Sequence, residues 1–220
     1  MKKIFLKTMN FLPVVSLVCG MAQAQAVSLP EPDLDTAMVA GKSQTIVLAG
    51  GCFWGVQAVF QHLKGVQQAV SGYAGGIAGT ANYDAVSAGA TGHAESVQVT
   101  YDPAQIALGK ILQVYFSVAH DPMELNRQGP DHGTQYRSEI FFATPEQEKI
   151  AKAYIRQLQQ AKAFPAPIVT QVTPLQGFFP AEGYHQNYAA LHPDNPYIKV
   201  NDLPKVSNLK KIFPDLYVEK

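Results

Sequence analysis

The sequence predicts an α+β fold, a mixed β-sheet with flanking helices and extended loops, close to a split βαβ arrangement. Three observations lead there. Short β-branched or alternating apolar runs are interleaved with segments whose apolar residues recur at helical spacing. Their order along the chain reads β-α-β-β-α-β-α-β, which suits helices packed on one mixed sheet. The chain has 220 residues, 47% hydrophobic and 15% charged, enough to fill the core of one domain.

Each element has its own signal. Thr45 to Ala49 is a β-branched apolar run closed by Gly50 and Gly51, the pattern of a buried strand and a turn. From Phe53 to Leu63, the spacing of Val56, Val59, Phe60 and Leu63 predicts a helix stopped by Gly65. Val66 to Tyr73 reads as the second strand, followed by a glycine-rich loop over Gly72–Gly79. Ala94 to Tyr101 alternates as a half-buried strand does. Asp102-Pro103 is expected to cap a helix whose apolar face runs through Ile106, Ile111, Leu112, Tyr115 and Val118. Arg137 to Ala143 is the next strand. Thr144-Pro145-Glu146-Gln147 opens a helix expected to reach about Phe164, because an N-cap, a proline and a back-reaching glutamine follow in order. Ile168 to Thr173 is the last strand, and the tail from Asn201 is expected to wrap the outside with a short helix over Val206–Ile212.

The ends of the chain divide it further. Lys2, Lys3 and Lys7 precede an apolar run from Phe11 to Met21, and Ala22-Gln23-Ala24 fits a small-x-small cleavage site. Residues 1–24 therefore read as a signal peptide, too short in its apolar part to span a bilayer. Residues 25–43, rich in Pro, Asp and Ala, are expected to be a flexible leader, and 44–220 the folded domain. The protein is expected to be exported to the periplasm, with no membrane attachment once residues 1–24 are cleaved. Seventeen basic and seventeen acidic residues cancel, without a basic stripe, so no nucleic-acid partner is expected. Of the two cysteines, Cys19 and Cys52, only Cys52 would survive cleavage, leaving one thiol with no internal disulfide partner.

Cys52 lies in Gly50-Gly51-Cys52-Phe53-Trp54-Gly55, at the junction of a strand and a helix. Unpaired N–H groups and the positive end of the helix dipole favour a thiolate there, which would lower the thiol's pKa. The two glycines permit a tight turn that exposes the sulfur. A buried, inert cysteine is the competing reading. A second cluster holds Tyr83 and Thr91-Gly92-His93-Ala94-Glu95; an acid in an apolar pocket stays protonated and can donate a proton, although Glu95 alone would fit a surface position. A third cluster runs from Asp131 to Ser138 through Tyr136. The six histidines show no metal-ligand spacing and are read as polar surface or supporting groups, with no bound metal expected.

Taken together and in order, these segments resemble the A-type peptide-methionine sulfoxide reductases. The resemblance rests on Gly51-Cys52-Phe53-Trp54-Gly55, Tyr83-Asp84-Ala85-Val86, Thr91 to Glu95, Asn126 to Pro130, Asp131 to Ser138 and Phe179 to Gln186, and extends over residues 44 to 217. It implies a ferredoxin-like sandwich and gives roles residue by residue. Cys52 becomes the nucleophile and Glu95 the acid that protonates the sulfoxide oxygen. Tyr83 and Tyr136 hold that oxygen, Phe53 and Trp54 form the apolar walls for the substrate methyl group, and Asp131 is a supporting carboxylate. The expected reaction reduces the S epimer, protein-bound or free, and leaves a sulfenic acid on Cys52.

Where relatives carry further cysteines, this chain has Ser87 after Tyr83-Asp84-Ala85-Val86 and none near the C-terminus. An external thiol, a thioredoxin-like protein or a small thiol, is therefore the expected recycling partner, with no bound cofactor. Oxidised proteins carrying methionine sulfoxide are the expected substrates, and the chain is expected to be a monomer. Cys-Phe-Trp-Gly lacks the second cysteine of a thiol–disulfide oxidoreductase. Two further readings compete: a cysteine hydrolase using His93, His132 or His185, and an exported module that binds a small ligand.

Overall fold

A computed structural model describes residues 26–220 of the chain. The signal-peptide reading of residues 1–24 falls outside the described residues. In chain order the elements are β1 (Gln44–Gly50), α1 (Phe53–Gln61), β2 (Val66–Ala74), α2 (Tyr83–Ser87), β3 (Ala94–Tyr101) and α3 (Leu108–Val114). Then come β4 (Arg127–Gln128), β5 (Asp131–His132), β6 (Ser138–Phe142), α4 (Pro145–Gln160), β7 (Gln171–Pro174), β8 (Phe178–Pro180), α5 (Tyr188–Leu191) and α6 (Leu203–Ile212).

The main sheet is ordered β7-β6-β1-β3-β2-β8. β3 lies between β1 and β2, and β1 between β3 and β6, so each βαβ unit is split by a strand of the other. These four strands pair antiparallel, whereas β7 joins β6 in parallel, which makes the sheet mixed. The expected α+β architecture is the one observed.

Alternation sorts the strands' side chains. On β1 and β3, Ile46, Leu48, Val97, Val99 and Tyr101 face the helices and join one core with Val56, Val59 and Phe60 of α1, Ile111 and Leu112 of α3, and Ile150, Tyr154 and Leu158 of α4. Val47, Ala49, Ala74, Ala94 and Phe141 form a smaller core on the other face, covered by Leu175 and Phe178. By the same period of two, Glu95 shares the helix-facing side with Val97 and Val99.

The helix signals hold in part. The Thr144 hydroxyl accepts from the Gln147 N–H (3.2 Å) and Gln147 Oε1 accepts from the Ala143 N–H (2.8 Å), as the cap reading of α4 requires. That helix stops at Gln160 rather than Phe164, where Lys162 takes a left-handed conformation (φ 50°). The last predicted strand begins three residues later than expected, at Gln171. Asp102 caps a turn, accepting from the Ala104 N–H (2.9 Å), and not a helix.

The helix after that turn starts at Leu108 and draws its cap from far away in the sequence. Asp35 Oδ1 accepts from the Gly109 N–H (2.6 Å) and the Thr36 hydroxyl from the Leu108 N–H (3.2 Å). The reading of 25–43 as a flexible leader is thus corrected for residues 26–36. Val27 N–H donates to the Ser117 carbonyl, Gln113 Nε2 to the Leu29 carbonyl, the Tyr154 hydroxyl to the Pro30 carbonyl, and Gln157 Nε2 to the Glu31 carbonyl. Leu29 is buried. An extended strap has no periodicity of its own; its partners are side chains of α3 and α4 and backbone groups of α3 and of Ser117 just after it, invisible in the local sequence.

The tail carries the expected helix within α6 but sits deeper than expected: α6 packs on α1, Leu209 enters the main core, and Asp202 and Lys205 are buried. No described helix is long and apolar enough to cross a membrane.

Candidate active site

The site forms where β1 hands over to α1. Gly51 sits at φ +86°, and a Cβ there would come within 2.4 Å of Gln128 Cγ, so only glycine makes this turn without strain. Cys52 is the N-cap residue of α1 and is 8% exposed. Opposite it, Glu95 at the start of β3 is 2% exposed, and its Oε2 accepts from the Phe53 N–H at 3.1 Å. The first turn of α1 therefore presents the sulfur and one end of the carboxyl group to the same space.

Burial dominates the electrostatics. It pushes the Glu95 carboxyl from 4.5 to about 8, against the Phe53 N–H and helped by the charges of Asp131 and Asp202. Glu95 is accordingly a neutral acid at pH 7, with a proton to give. The expectation of a lowered thiol pKa at Cys52 is overturned. Burial raises it well above the ordinary range, Glu95 and Asp202 raise it further, and the Trp54 backbone N–H and Lys205 oppose them. The helix end acts as anticipated, but desolvation inside a shell of acids outweighs it.

The aromatic residues form a stacked frame around the sulfur. Trp54 lies flat on Tyr188 (centroids 3.9 Å apart, planes at 12°) and edge-on to Tyr197 (6.1 Å, 84°). Its indole N–H donates to His185 Nδ1 at 3.2 Å. Because indole can only donate, the proton of the neutral imidazole sits on Nε2. His185 in turn packs against Tyr83 (4.4 Å) and Phe53 (5.1 Å). Phe53 is 1% exposed and leans on Tyr73 (5.9 Å), so its ring is as much core as wall. Tyr83 and Tyr136 are both half-buried, and each hydroxyl is held protonated, chiefly by burial and then by Glu95 among the neighbouring charges. Asp131 Oδ2 accepts from the Tyr197 hydroxyl at 2.5 Å.

All seven residues singled out in the sequence thus converge: Cys52, Glu95, Phe53, Trp54, Tyr83, Tyr136 and Asp131 couple through contacts or charge. Of the six histidines, read as polar surface or supporting groups, His93, His120 and His185 are buried; His120 Nε2 meets the Ser138 hydroxyl at 2.7 Å and packs under Gly50. Other residues were missed. Glu182 anchors two site tyrosines, accepting from the Tyr73 hydroxyl (2.8 Å) and the Tyr83 N–H (2.9 Å). Tyr188, Tyr197, Asp202 and Lys205 come from the tail. For Glu95 the signal was available: alternation through Val97, Val99 and Tyr101 places it inward. The tail residues carried none, because the residues they meet in the site lie far upstream in the chain.

Comparison with known proteins agrees with this geometry. The family described as peptide methionine sulfoxide reductase matches residues 44–216. A peptide methionine sulfoxide reductase MsrA 2 from Mesorhizobium japonicum is 60% identical over 178 residues, 81% of this chain and 91% of the relative. A second, from Synechocystis sp., is 46% identical over 190 residues, 85% of this chain and 89% of the relative. Among solved structures, reduced Mxr1 from Saccharomyces cerevisiae superposes with a TM-score of 0.62 at 33% identity, covering 70% of this chain and 88% of that one. Methionine sulfoxide reductase A of Corynebacterium diphtheriae gives 0.60 at 32%, covering 78% and 86%. The chain belongs to the peptide methionine sulfoxide reductase family, in its A-type branch.

Proposed function

We propose that the chain carries out its family's reaction, the reduction of methionine sulfoxide to methionine, with Cys52 as nucleophile and Glu95 as proton donor. The observation that carries this reading is the neutral Glu95, buried and fixed to the Phe53 N–H beside the sulfur. A sulfoxide sulfur becomes a good target only when its oxygen receives a proton or a strong hydrogen bond, and a carboxylate could give neither. The hydroxyls of Tyr83 and Tyr136 hold the same oxygen. Phe53 and Trp54 receive the S-methyl group, which packs well on aromatic rings. Asp131, through the Tyr197 hydroxyl, keeps the frame around Trp54 in place. The S epimer is the substrate, in oxidised proteins and as the free amino acid.

Cys52 is the one cysteine among the described residues, so its sulfenic acid has no partner there. An external thiol, a thioredoxin-like protein or a small thiol, forms a mixed disulfide and regenerates Cys52. Export through residues 1–24 to the periplasm and action as a monomer complete the reading.

The test incubates the protein with each epimer and a dithiol, and measures methionine. Release from the S epimer alone is expected, together with its loss in Cys52→Ser. Turnover by that variant would remove the nucleophile assignment. One equivalent of methionine and a trapped sulfenic acid are expected in a single turnover without thiol; repeated turnover would sink the external-thiol step.

A further inference from the structure

A buried cation lies under the first turn of α1. Asp202 and Lys205 open α6, and both turn inward: Asp202 is fully buried and Lys205 is 9% exposed. Gly55, three residues after Cys52, makes room for them. A Cβ at position 55 would come within 2.1 Å of Asp202 Oδ1 and 2.8 Å of Lys205 Nζ. The charged ends therefore rest against the helix backbone that carries the nucleophile.

The pair is loose. Lys205 Nζ stands 3.4 Å from Asp202 Oδ1, and Asp202 Oδ2 has no hydrogen-bond partner. A pair kept only for the fold would be closer and saturated, since a buried carboxylate oxygen without a partner is destabilising. The ionisable groups facing Cys52 are Glu95 from β3, Asp202 at the N-cap of α6, Lys205 within α6, and the hydroxyls of Tyr83, Tyr136 and Tyr197, with Asp131 behind Tyr197. Lys205 is the single cation in that set.

We propose that Lys205 is the counter-ion of the Cys52 thiolate during attack, and that Asp202 is a positioning residue that holds its ammonium beneath the first turn of α1. The proposal rests on Cys52 being the nucleophile. In the step it serves, Cys52–SH and a sulfoxide become Cys52–SOH and methionine. Cys52 loses two electrons and the substrate sulfur gains two as its S–O bond breaks; Glu95 gives its proton to the transferred oxygen and takes up the one the thiol releases, so the acid is unchanged overall. Lys205 takes no part in the proton transfer; its cationic end lowers the cost of the transient negative sulfur inside a ring of acids. Asp202 moderates that field and holds the ammonium in place.

Alkylation of Cys52 by iodoacetamide, followed against pH in the full-length protein, tests the pair without substrate. Lys205→Met is expected to raise the midpoint by about one pH unit or more, Lys205→Arg to restore it, and Asp202→Asn to lower it. Single-turnover sulfoxide reduction at pH 7 should fall about tenfold in Lys205→Met, with the midpoint and rate moving together. Circular dichroism checks that each variant is folded, and Asp202→Asn keeps the test alive if Lys205→Met is not. A merely structural pair would give no opposed shifts: midpoints that stay put, or move the same way in Lys205→Met and Asp202→Asn, overturn the proposal. A parent that reduces sulfoxide with Cys52 already alkylated would instead bring down the nucleophile assignment itself.

Discussion

Two ion pairs, one partly buried and one buried, have been finished very differently. Arg137 and Glu139 are joined at 2.5 Å, and every remaining group is used: Arg137 donates to the Thr134 and Gly92 carbonyls, and Glu139 accepts from the Thr173 hydroxyl. Asp202 and Lys205 stand 3.4 Å apart with a carboxylate oxygen left over. The first pair ties β6 to β7 and to the loop before β3, and its charges are consumed by their own neighbours. The second keeps unspent charge against the helix that carries Cys52. A saturated pair fixes a fold; an unsaturated one leaves a field for chemistry to use.

The contrast makes predictions, from the most damaging change to the mildest. Glu95→Gln should slow the chemical step by about 10²–10⁴-fold with the fold intact, because an amide cannot replace the proton donor. Rapid-quench kinetics check it, and a rate within about twofold of the parent would end the acid role. Arg137→Met should cost stability, by about 3–5 kcal/mol, since it strands a buried carboxylate. Its alkylation midpoint at Cys52 should stay that of the parent. Denaturant melts and alkylation read the two effects separately, and a shifted midpoint with unchanged stability would reverse the assignment of the two pairs.

Trp54→Ala should raise KM by about tenfold or more through loss of the apolar wall, with a smaller change in kcat. Unchanged values of both would make the indole a packing residue alone. The mildest effect is on pH. Glu95 is raised from 4.5 in the unfolded chain to about 8 in the folded one, so the native state holds more protons between these values. Stability from this group is fully present below 4.5 and is lost as pH rises through about 8. The parent should therefore weaken between pH 4.5 and about 8 relative to Glu95→Gln, by about 1–3 kcal/mol, in denaturant melts. Activity that requires the protonated acid should decline over the upper part of the same range.

Local patterns made much of the molecule legible. The β1 run ending in Gly50-Gly51 and the cap of α4 both specify their structure within a few residues, and the structure agrees with each. The helix after Asp102 did not follow its nearest cap, because Asp35 and Thr36 reach its N-terminus from more than 70 residues away and win the free N–H groups. The strap over residues 26–36 went unread for a related reason: its hydrogen-bond partners belong to α3, α4 and Ser117. Within the site, Glu95 could be placed inward by alternation, whereas nothing in the local sequence singled out Asp202 and Lys205.

By itself the sequence determined the element order, the split arrangement of the sheet, the single thiol at a strand–helix junction and the set of residues gathered around it. These follow from periodicity, caps and motifs, which act over a few residues and survive in one dimension. Only the tertiary structure decided the protonation states. A helix end favours a thiolate, but whether it prevails depends on how much water and how many acids surround the sulfur. Here burial above all, with Asp202 beside it, raises the Cys52 thiol well above its ordinary range, and burial keeps the proton on Glu95. Desolvation and Coulomb energy are sums over neighbours in space, and at Cys52 those neighbours come from β3 and from a tail about 150 residues further along the chain.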